Sequence, residues 1–410
     1  MKIAAYLLLL VSIALMALQC EKKADLGPGA EFSCDESPAT CELTAANGDF
    51  AIALFKQLNG EQPDDNIFVS PFSISSALTM TLNGANAQTF DDMRSTLKIN
   101  DLEMLAVNES YKQLLEVLPA LDPQTKLKLA NSIWPKLDYP VLQSFLDINT
   151  AYFNSEIIPV DFKDPAVIAK VNKWVEDNTD GLIKEALSEL PPDVVMLLIN
   201  AIYFKGAWQT EFDPKDTYET EFQLAGGGTA TVDMMHIQEN DFPYFAAEMF
   251  QAIDLPYGDS IYSMSVFLPR EGYTVNDVID ALTPESWQQW LASFNSQPVE
   301  LLLPKFKMEY DRKLKRDLSD MGMEVAFTDF ADFTKMIQGG GVMIDEVIHK
   351  AFIEVNEEGT EAAAVTVVII VETSAGSVPV FRADHPFLFV IRDNKTNSIL
   401  FMGKMMNPEE

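Results

Sequence analysis

Three histidines, His236, His349 and His385, are the only imidazoles in a chain of 410 residues. Acid–base or metal chemistry would have to pass through them or through carboxylates. None belongs to the helical pair that binds zinc, and no cysteine accompanies them, which argues against a zinc site. Gly226-Gly227-Gly228 precedes no Lys-Ser or Lys-Thr and opens no helix, so it reads as a turn and not as a phosphate cradle. The nucleophile elbow Gly-x-Ser-x-Gly is missing. Nor does any spacing among the 62 acidic residues single out a pair of carboxylates for general acid and base work. No catalytic residue, metal or cofactor is expected, and the chain reads as something other than an enzyme.

One stretch does raise a question of mechanism. Residues 357–376 read EEGTEAAAVTVVIIVETSAG. The β-branched run from Val365 to Val371, interrupted only by Thr366, has the composition of a buried strand. Left exposed, such a segment is an aggregation hazard. Yet acidic residues flank it on both sides, Glu357-Glu358 before and Glu372 after.

The elements around it follow from periodicity. Phe50, Leu54 and Leu58, with Ala51 and Phe55, form one apolar helical face that stops at Gly60. Residues 66–69 read as a short strand. Ser70 then caps a helix whose first turn is preset by Pro71, and which carries Ile74, Leu78 and Leu82 before Gly84. Thr89, with Asp92 three residues on, signals another helix start. Helical patterns fill 165–190, 275–292 and 311–321. Strands are expected over 195–204, 218–236, 244–268, 300–310, 386–392 and 398–404. Helices dominate the first half and strands the second, which predicts an α+β domain with large antiparallel or mixed sheets. No repeat and no linker appear after residue 45, so one domain is expected.

The net charge of −33 argues against nucleic acid, heparin-like polyanions and anionic membrane surfaces as partners. At the amino terminus, Lys2 and the apolar run Ile3 to Leu18 read as an export signal, residues 1–20. Cys20 directly after it looks like the acceptor of a bacterial lipoprotein, although Ala17-Leu18-Gln19 departs from the usual pattern. An ordinary cleaved signal or an uncleaved anchor stays open. Residues 21–42 are acidic, contain Pro and Gly, and read as a tether, with the folded domain over 43–410. If Cys20 is lipidated, Cys34 and Cys41 remain as an even pair, suggesting one small disulfide; two free thiols are the alternative. The protein is expected outside the cell or on its envelope, touching a membrane only through that lipid.

Seven motifs, taken together and in order, resemble the serpin family over residues 43–410. They are NIFVSPFSISSAL (66–78), ANSIW (130–134), VNKWVEDNTDGLI (171–183), NAIYFKGAW (200–208), LPKFK (303–307), IHKAFIEVNEEGTEAAA (348–364) and FRADHPFLFVIRDNKTNSILFMGKMMNP (381–408). The resemblance implies three β-sheets, about nine helices and an exposed reactive loop at about 357–380. It also implies a monomeric suicide-substrate inhibitor that forms a covalent complex with a target serine protease. In that mechanism the loop becomes a missing strand of the central sheet, which answers the question raised by residues 357–376. A non-inhibitory binding protein or chaperone is the alternative.

The resemblance makes Glu357, Gly359, Thr360, Glu361, Ala362, Ala363 and Ala364 the hinge, and Thr360 with Ala362-Ala363-Ala364 matches the inhibitory form of the family. Small residues at period two can slip between packed strands without overfilling the layer beneath. Counting from Gly359 as family inhibitors do puts the reactive bond between Thr373 and Ser374; Val371, or Ala375 with Gly376, are alternatives. No Lys or Arg lies between Glu361 and Val380, so an elastase-like or subtilisin-like protease with a small apolar pocket is expected. Ser70, Ser73, Asn172, Asn200 and His349 align with the polar cluster beneath the opening point of the sheet. Trp208 aligns with the aromatic plug at its top.

Overall fold

The computed structural model describes residues 32–191, 193–360 and 378–409. In chain order the first elements are α1 (Pro38–Glu61), β1 (Ile67–Val69), α2 (Pro71–Leu82), α3 (Ala87–Thr96), α4 (Met104–Val117) and β2 (Lys126–Pro135). Next come α5 (Gln143–Phe153), β3 (Glu156–Ile157), α6 (Ala166–Asn178), β4 (Met196–Ala207), β5 (Tyr218–Gln223) and β6 (Thr229–Ala246). They are followed by β7 (Phe250–Tyr257), β8 (Tyr262–Pro269), α7 (Val275–Ala281), α8 (Pro284–Ser293), β9 (Asn295–Pro304) and β10 (Phe306–Lys313). The chain closes with α9 (Lys315–Leu318), β11 (Ile348–Asn356), β12 (Gly359–Thr360), β13 (Val380–Arg382), β14 (Phe387–Asp393) and β15 (Ile399–Met405). The fold is α+β, with nine α-helices among the described residues.

Two hydrogen-bonded networks carry the strands. A six-stranded sheet runs β10-β11-β12-β4-β2-β3. A nine-stranded network runs β1-β15-β14-β8-β7-β6-β9-β13, with β5 paired to β6. The second and third of the three implied sheets thus share β6, whose register shifts between Ile237 and Asn240 while pairing continues. Between the two networks lies an aromatic core: Phe68 stacks on Phe401 with ring centroids 5.3 Å apart, and Phe204 meets Phe401 and Tyr262 edge-on. These contacts join β1, β4, β8 and β15, so the central sheet is packed against the rest of the molecule through β4.

Local chemistry explains several boundaries. Ser70 Oγ accepts the N–H of Ser73, 3.2 Å, ahead of Pro71. Thr274 with Asp277 and Thr283 with Ser286 form capping boxes on α7 and α8. Those two caps split the single helix expected over 275–292. Helix α6 stops at Asn178, well short of residue 190, because Asp180 and Gly181 adopt left-handed backbone with φ of 50° and 85°. The strand expected over 300–310 is two strands in different sheets, broken at Pro304-Lys305. Residues 311–313, expected helical, extend β10 opposite Ile348–Lys350. Residues 218–236 and 244–268 resolve into strand pairs, the first turning at the Gly226–Gly228 triplet. Thr89 and Asp92 cap nothing: α3 starts at Ala87 after Asn86, and Thr89 Oγ1 accepts the N–H of Asp332, 2.9 Å.

Order also begins earlier than the expected tether end at residue 42. Pro38 opens α1, and Cys34 is joined to Cys41 across its first turn, with Cα atoms 5.6 Å apart. Gln113 of α4 fixes this junction, donating to Ser37 Oγ at 2.7 Å and accepting from Thr40 Oγ1 at 2.6 Å. The segment before residue 32, including Cys20, lies outside the described residues.

Candidate functional site: the mouth of the central sheet

Strand β12 has only two residues, and they sit between β11 and β4. Gly359 pairs with Asn356 and Ala207, and Thr360 with Val355 and Gly206. Among the described residues no other ladder joins β4 to β11. The start of the loop expected to be exposed from residue 357 is therefore enclosed, a correction at three residues: Gly359 and Thr360 lie inside the sheet, and Glu357 is buried in the turn before them. Glu361, Ala362, Ala363, Ala364 and the candidate bond residues Val371, Thr373, Ser374, Ala375 and Gly376 lie outside the described residues.

The turn into β12 is built by Asn356, whose Oδ1 accepts the N–H groups of Glu358 (3.1 Å) and Gly359 (3.2 Å). This is the local side-chain-to-backbone bonding for which Asn is suited in turns. Gly359 has φ of +150°, and a Cβ there would fall 2.1 Å from the Gly206 carbonyl oxygen. Only glycine fits so close to the neighbouring backbone. Glu357 is held from two sides, by Thr217 Oγ1 at 2.9 Å and Lys305 Nζ at 3.2 Å. Burial pushes its carboxyl up, but backbone, Thr217 and Lys305 hydrogen bonds outweigh that and leave it below its usual value.

Trp208 closes the top. Its ring stacks on Tyr257 with centroids 4.4 Å apart, and its Nε1 donates to the Asn356 carbonyl at 3.0 Å. Its backbone N–H donates to the Glu358 carbonyl, 2.9 Å. Tyr257 in turn shares a 2.7 Å hydrogen bond with the Thr360 hydroxyl. Burial pushes the Tyr257 phenol up, so it stays a neutral hydrogen-bonding group. Sequence reasoning missed Tyr257, because its link to Thr360 spans two sheets.

Further down, the start of α2 straddles the two strands. The Ser70 N–H donates to His349 Nε2 of β11 at 3.1 Å, and Ser70 Oγ donates to the Leu400 carbonyl at 2.8 Å. Ser73 Oγ donates to Asn200 Oδ1 of β4. Asn200 Nδ2 continues to Asn131 Oδ1 of β2 at 2.7 Å, and Asn131 Nδ2 to the Phe153 carbonyl at 2.8 Å. One short turn of chain thus holds β11 with one serine and β4 with the next. Burial pushes the His349 imidazole down to about 4, more than Asp311 raises it. It is neutral at pH 7 with Nε2 free to accept, and it acts as a brace and not as a base.

Asn172 does not join this cluster. Its Oδ1 accepts the N–H groups of Ala186 (2.9 Å) and Leu187 (2.8 Å), and its Nδ2 donates to the Leu187 carbonyl. It pins the connection after α6 back onto that helix. Asn131, quoted within ANSIW but not singled out, takes the place in the network that Asn172 was expected to have. The other histidines serve packing: His385 bonds Asp384 Oδ1 and the Pro269 carbonyl, each at 2.9 Å, and His236 meets Glu300 at 3.0 Å.

A strand lodged at the mouth of a sheet with a polar brace across the opening defines a class of protein, and comparison with known sequences agrees. Residues 45–408 match the family model described as Serpin (serine protease inhibitor). The chain belongs to the serpin family. It is 36% identical over 379 residues to the leukocyte elastase inhibitor of Sus scrofa, covering 90% of this chain and 100% of that protein. An uncharacterized serpin-like protein of Thermococcus kodakarensis is 37% identical over 366 residues, covering 88% of this chain and 84% of that one. Among solved structures, native tengpin, a thermophilic serpin, superposes with a TM-score of 0.81 at 33% identity, covering 93% of this chain and 97% of tengpin. Human thyroxine-binding globulin complexed with thyroxine gives 0.82 at 28% identity, covering 91% and 100%. Serpins include protease inhibitors and non-inhibitory members alike.

Proposed function

We propose that this serpin is an irreversible inhibitor of an elastase-like or subtilisin-like serine protease. The observation that carries the reading is β12: two hinge residues already seated between β4 and β11, with small residues next in sequence. In this reading the protease serine attacks the scissile carbonyl, the peptide C–N bond breaks, and the proton passes to the leaving amine. The freed strand then continues into the sheet below Thr360. About 15 residues at ~3.3 Å each would carry the tethered protease roughly 50 Å. Distortion of its oxyanion hole would then leave the ester unhydrolysed. The absence of Lys and Arg from 361–380 supports a small apolar pocket in the target.

Incubation with pancreatic elastase or subtilisin tests this. The expected outcome is a complex that survives boiling in detergent, with release of a carboxy-terminal fragment whose mass begins at Ser374. Cleavage with no such complex would instead support the second reading, a non-inhibitory binding protein, which the likeness to thyroxine-binding globulin favours. The same proposal places the protein outside the cell, anchored through Cys20. Loss of labelled-palmitate incorporation in Cys20→Ala is expected, and unchanged labelling would contradict the anchor.

A further inference from the structure

Helix α6 lies across one face of the central sheet, with Val167 and Val171 packed on Trp134 of β2 and beside Leu197 and Ile199 of β4. The turn that ends α6 covers the mouth itself. Thr179, Leu182 and Ile183 line a cavity of about 20 Å³ whose opposite walls include Tyr203 of β4 and Phe352 and Glu354 of β11. Space on that scale holds about one water molecule. A strand entering between β4 and β11 presents every second side chain to this face. The turn must therefore lift before the strand can pass.

Among the described residues, the ionic tie between this turn and β2 runs through a single carboxylate. Asp180 sits at its apex in left-handed backbone, φ 50°, followed by Gly181 at 85°. Lys126 and Lys128, two residues apart on β2 and so on the same face, both donate to Asp180, one to each oxygen. The same two ammonium groups lie over the ring of Tyr203, at 5.5 Å and 5.9 Å from its centroid. Hydrogen bonds from Lys126 and then Lys128 hold the Asp180 carboxyl down at about 2, so it is ionised throughout the working range. An isolated surface ion pair contributes little, but here two cations share one anion and all three join the turn to the strand it must leave. Asp180 is tied to nothing on α6 or β11 among the hydrogen bonds and ion pairs of the described residues.

We propose that Asp180, Lys126 and Lys128 form an ionic latch on the turn after α6 that sets how fast the severed loop enters the sheet. They are positioning residues: they touch neither protease nor scissile bond, and act by controlling when the mouth opens. This rests on the inhibitory reading above. A faster latch release favours trapping over hydrolysis of the acyl-enzyme, because the two compete for one intermediate.

The test uses the full chain nicked with thermolysin, a metalloprotease that leaves no acyl-enzyme, and follows the growth of a heat-resistant fraction with time. Asp180→Asn keeps a residue that tolerates left-handed backbone, and removes the charge. Its heat-resistant fraction is expected to appear about fivefold faster than in the wild type, as loss of roughly one shared ion pair implies. Lys126→Gln with Lys128→Gln should give the same acceleration, and adding Asp180→Asn to it should give nothing further. Asp180→Glu should restore the slow rate. A merely structural role would shift the unfolding midpoint and leave the insertion rate alone. Equal rates in Asp180→Asn and wild type overturn the latch alone. A wild type that gains no heat resistance on nicking overturns the inhibitory reading, and the latch with it.

Discussion

On the inhibitory function proposed above, Thr360→Arg is expected to turn this serpin from an inhibitor into a substrate, with the number of molecules consumed per protease trapped rising at least about tenfold. Thr360 is 4% exposed, flanked by Val355 and Gly206 and bonded to the Tyr257 hydroxyl at 2.7 Å. A guanidinium cannot be accommodated there without taking a charge out of water, which costs several kcal/mol unless a partner is waiting. It would therefore be expelled, and β12 with it. Insertion would have to begin one step further back. A slowing worth about 1.4 kcal/mol in the barrier is already tenfold in rate, and hydrolysis of the acyl-enzyme gains what insertion loses. Thr360→Ser, which keeps the hydroxyl and reduces the volume, is expected to inhibit almost as well as wild type. The measurement is a titration of elastase activity against inhibitor, with gel analysis of cleaved and complexed chains. Unchanged stoichiometry in Thr360→Arg would contradict the role given to β12.

The second large effect is acid loosening of the brace below. His349 is buried and neutral, and its folded value of about 4 lies below the ordinary 6.5. Above pH 6.5 neither the folded nor the unfolded imidazole is protonated, and its contribution to stability does not vary with pH. Between 6.5 and 4 the unfolded chain takes up a proton that the folded one refuses, so stability falls as pH falls. Below 4 both are protonated and the loss levels off. The whole step is about 3 kcal/mol by linkage. Because many carboxylates titrate nearby, the quantity to follow is the difference between wild type and His349→Gln in denaturation midpoint from pH 7 to pH 4. Gln can still accept from the Ser70 N–H and does not titrate. The difference is expected to shrink or reverse towards acid pH; parallel pH profiles would remove His349 as the cause.

The parts of this molecule legible in the sequence are those whose signals are local. Ser70-Pro71 marks the start of α2 because both the cap and the preset φ are properties of adjacent residues. β14 and β15 read as buried strands because each opens with a run of apolar residues, Phe387 to Ile391 and Ile399 to Met402. The errors come where a short break decides between distant partners. Pro304-Lys305 looks like an interruption within one strand, yet it hands the chain from one sheet to the other. Helix α6 ends at Asn178, just before the left-handed turn at Asp180, whose side chain is held by Lys126 and Lys128, some fifty positions away and invisible to any helical pattern. In the site, the family motifs carried Ser70, Ser73, Asn200, Trp208 and His349 to their places. They misplaced Asn172, whose amide is taken up by Ala186 and Leu187. Tyr257, which holds Thr360, lacks any local signal, and Lys305, which holds Glu357, lies within the quoted motif LPKFK but was not singled out. The two-residue strand β12 could not be read at all: its pairing depends on an edge left open between β4 and β11, a property of the sheet and not of Gly359-Thr360.

The central claim is that the folded chain stops short of its most stable arrangement, with β12 as the first two residues of a strand still to be completed. Cleavage of the loop within 361–377, followed by thermal unfolding, addresses it most directly. Filling the opening would add backbone hydrogen bonds on both sides of a new strand, each contributing about 1 kcal/mol. At roughly 1 °C per kcal/mol for a chain of this size, and with about fifteen or more such bonds along the new strand, the melting temperature is expected to rise by at least about 10 °C. A melting temperature unchanged after complete cleavage would contradict the account.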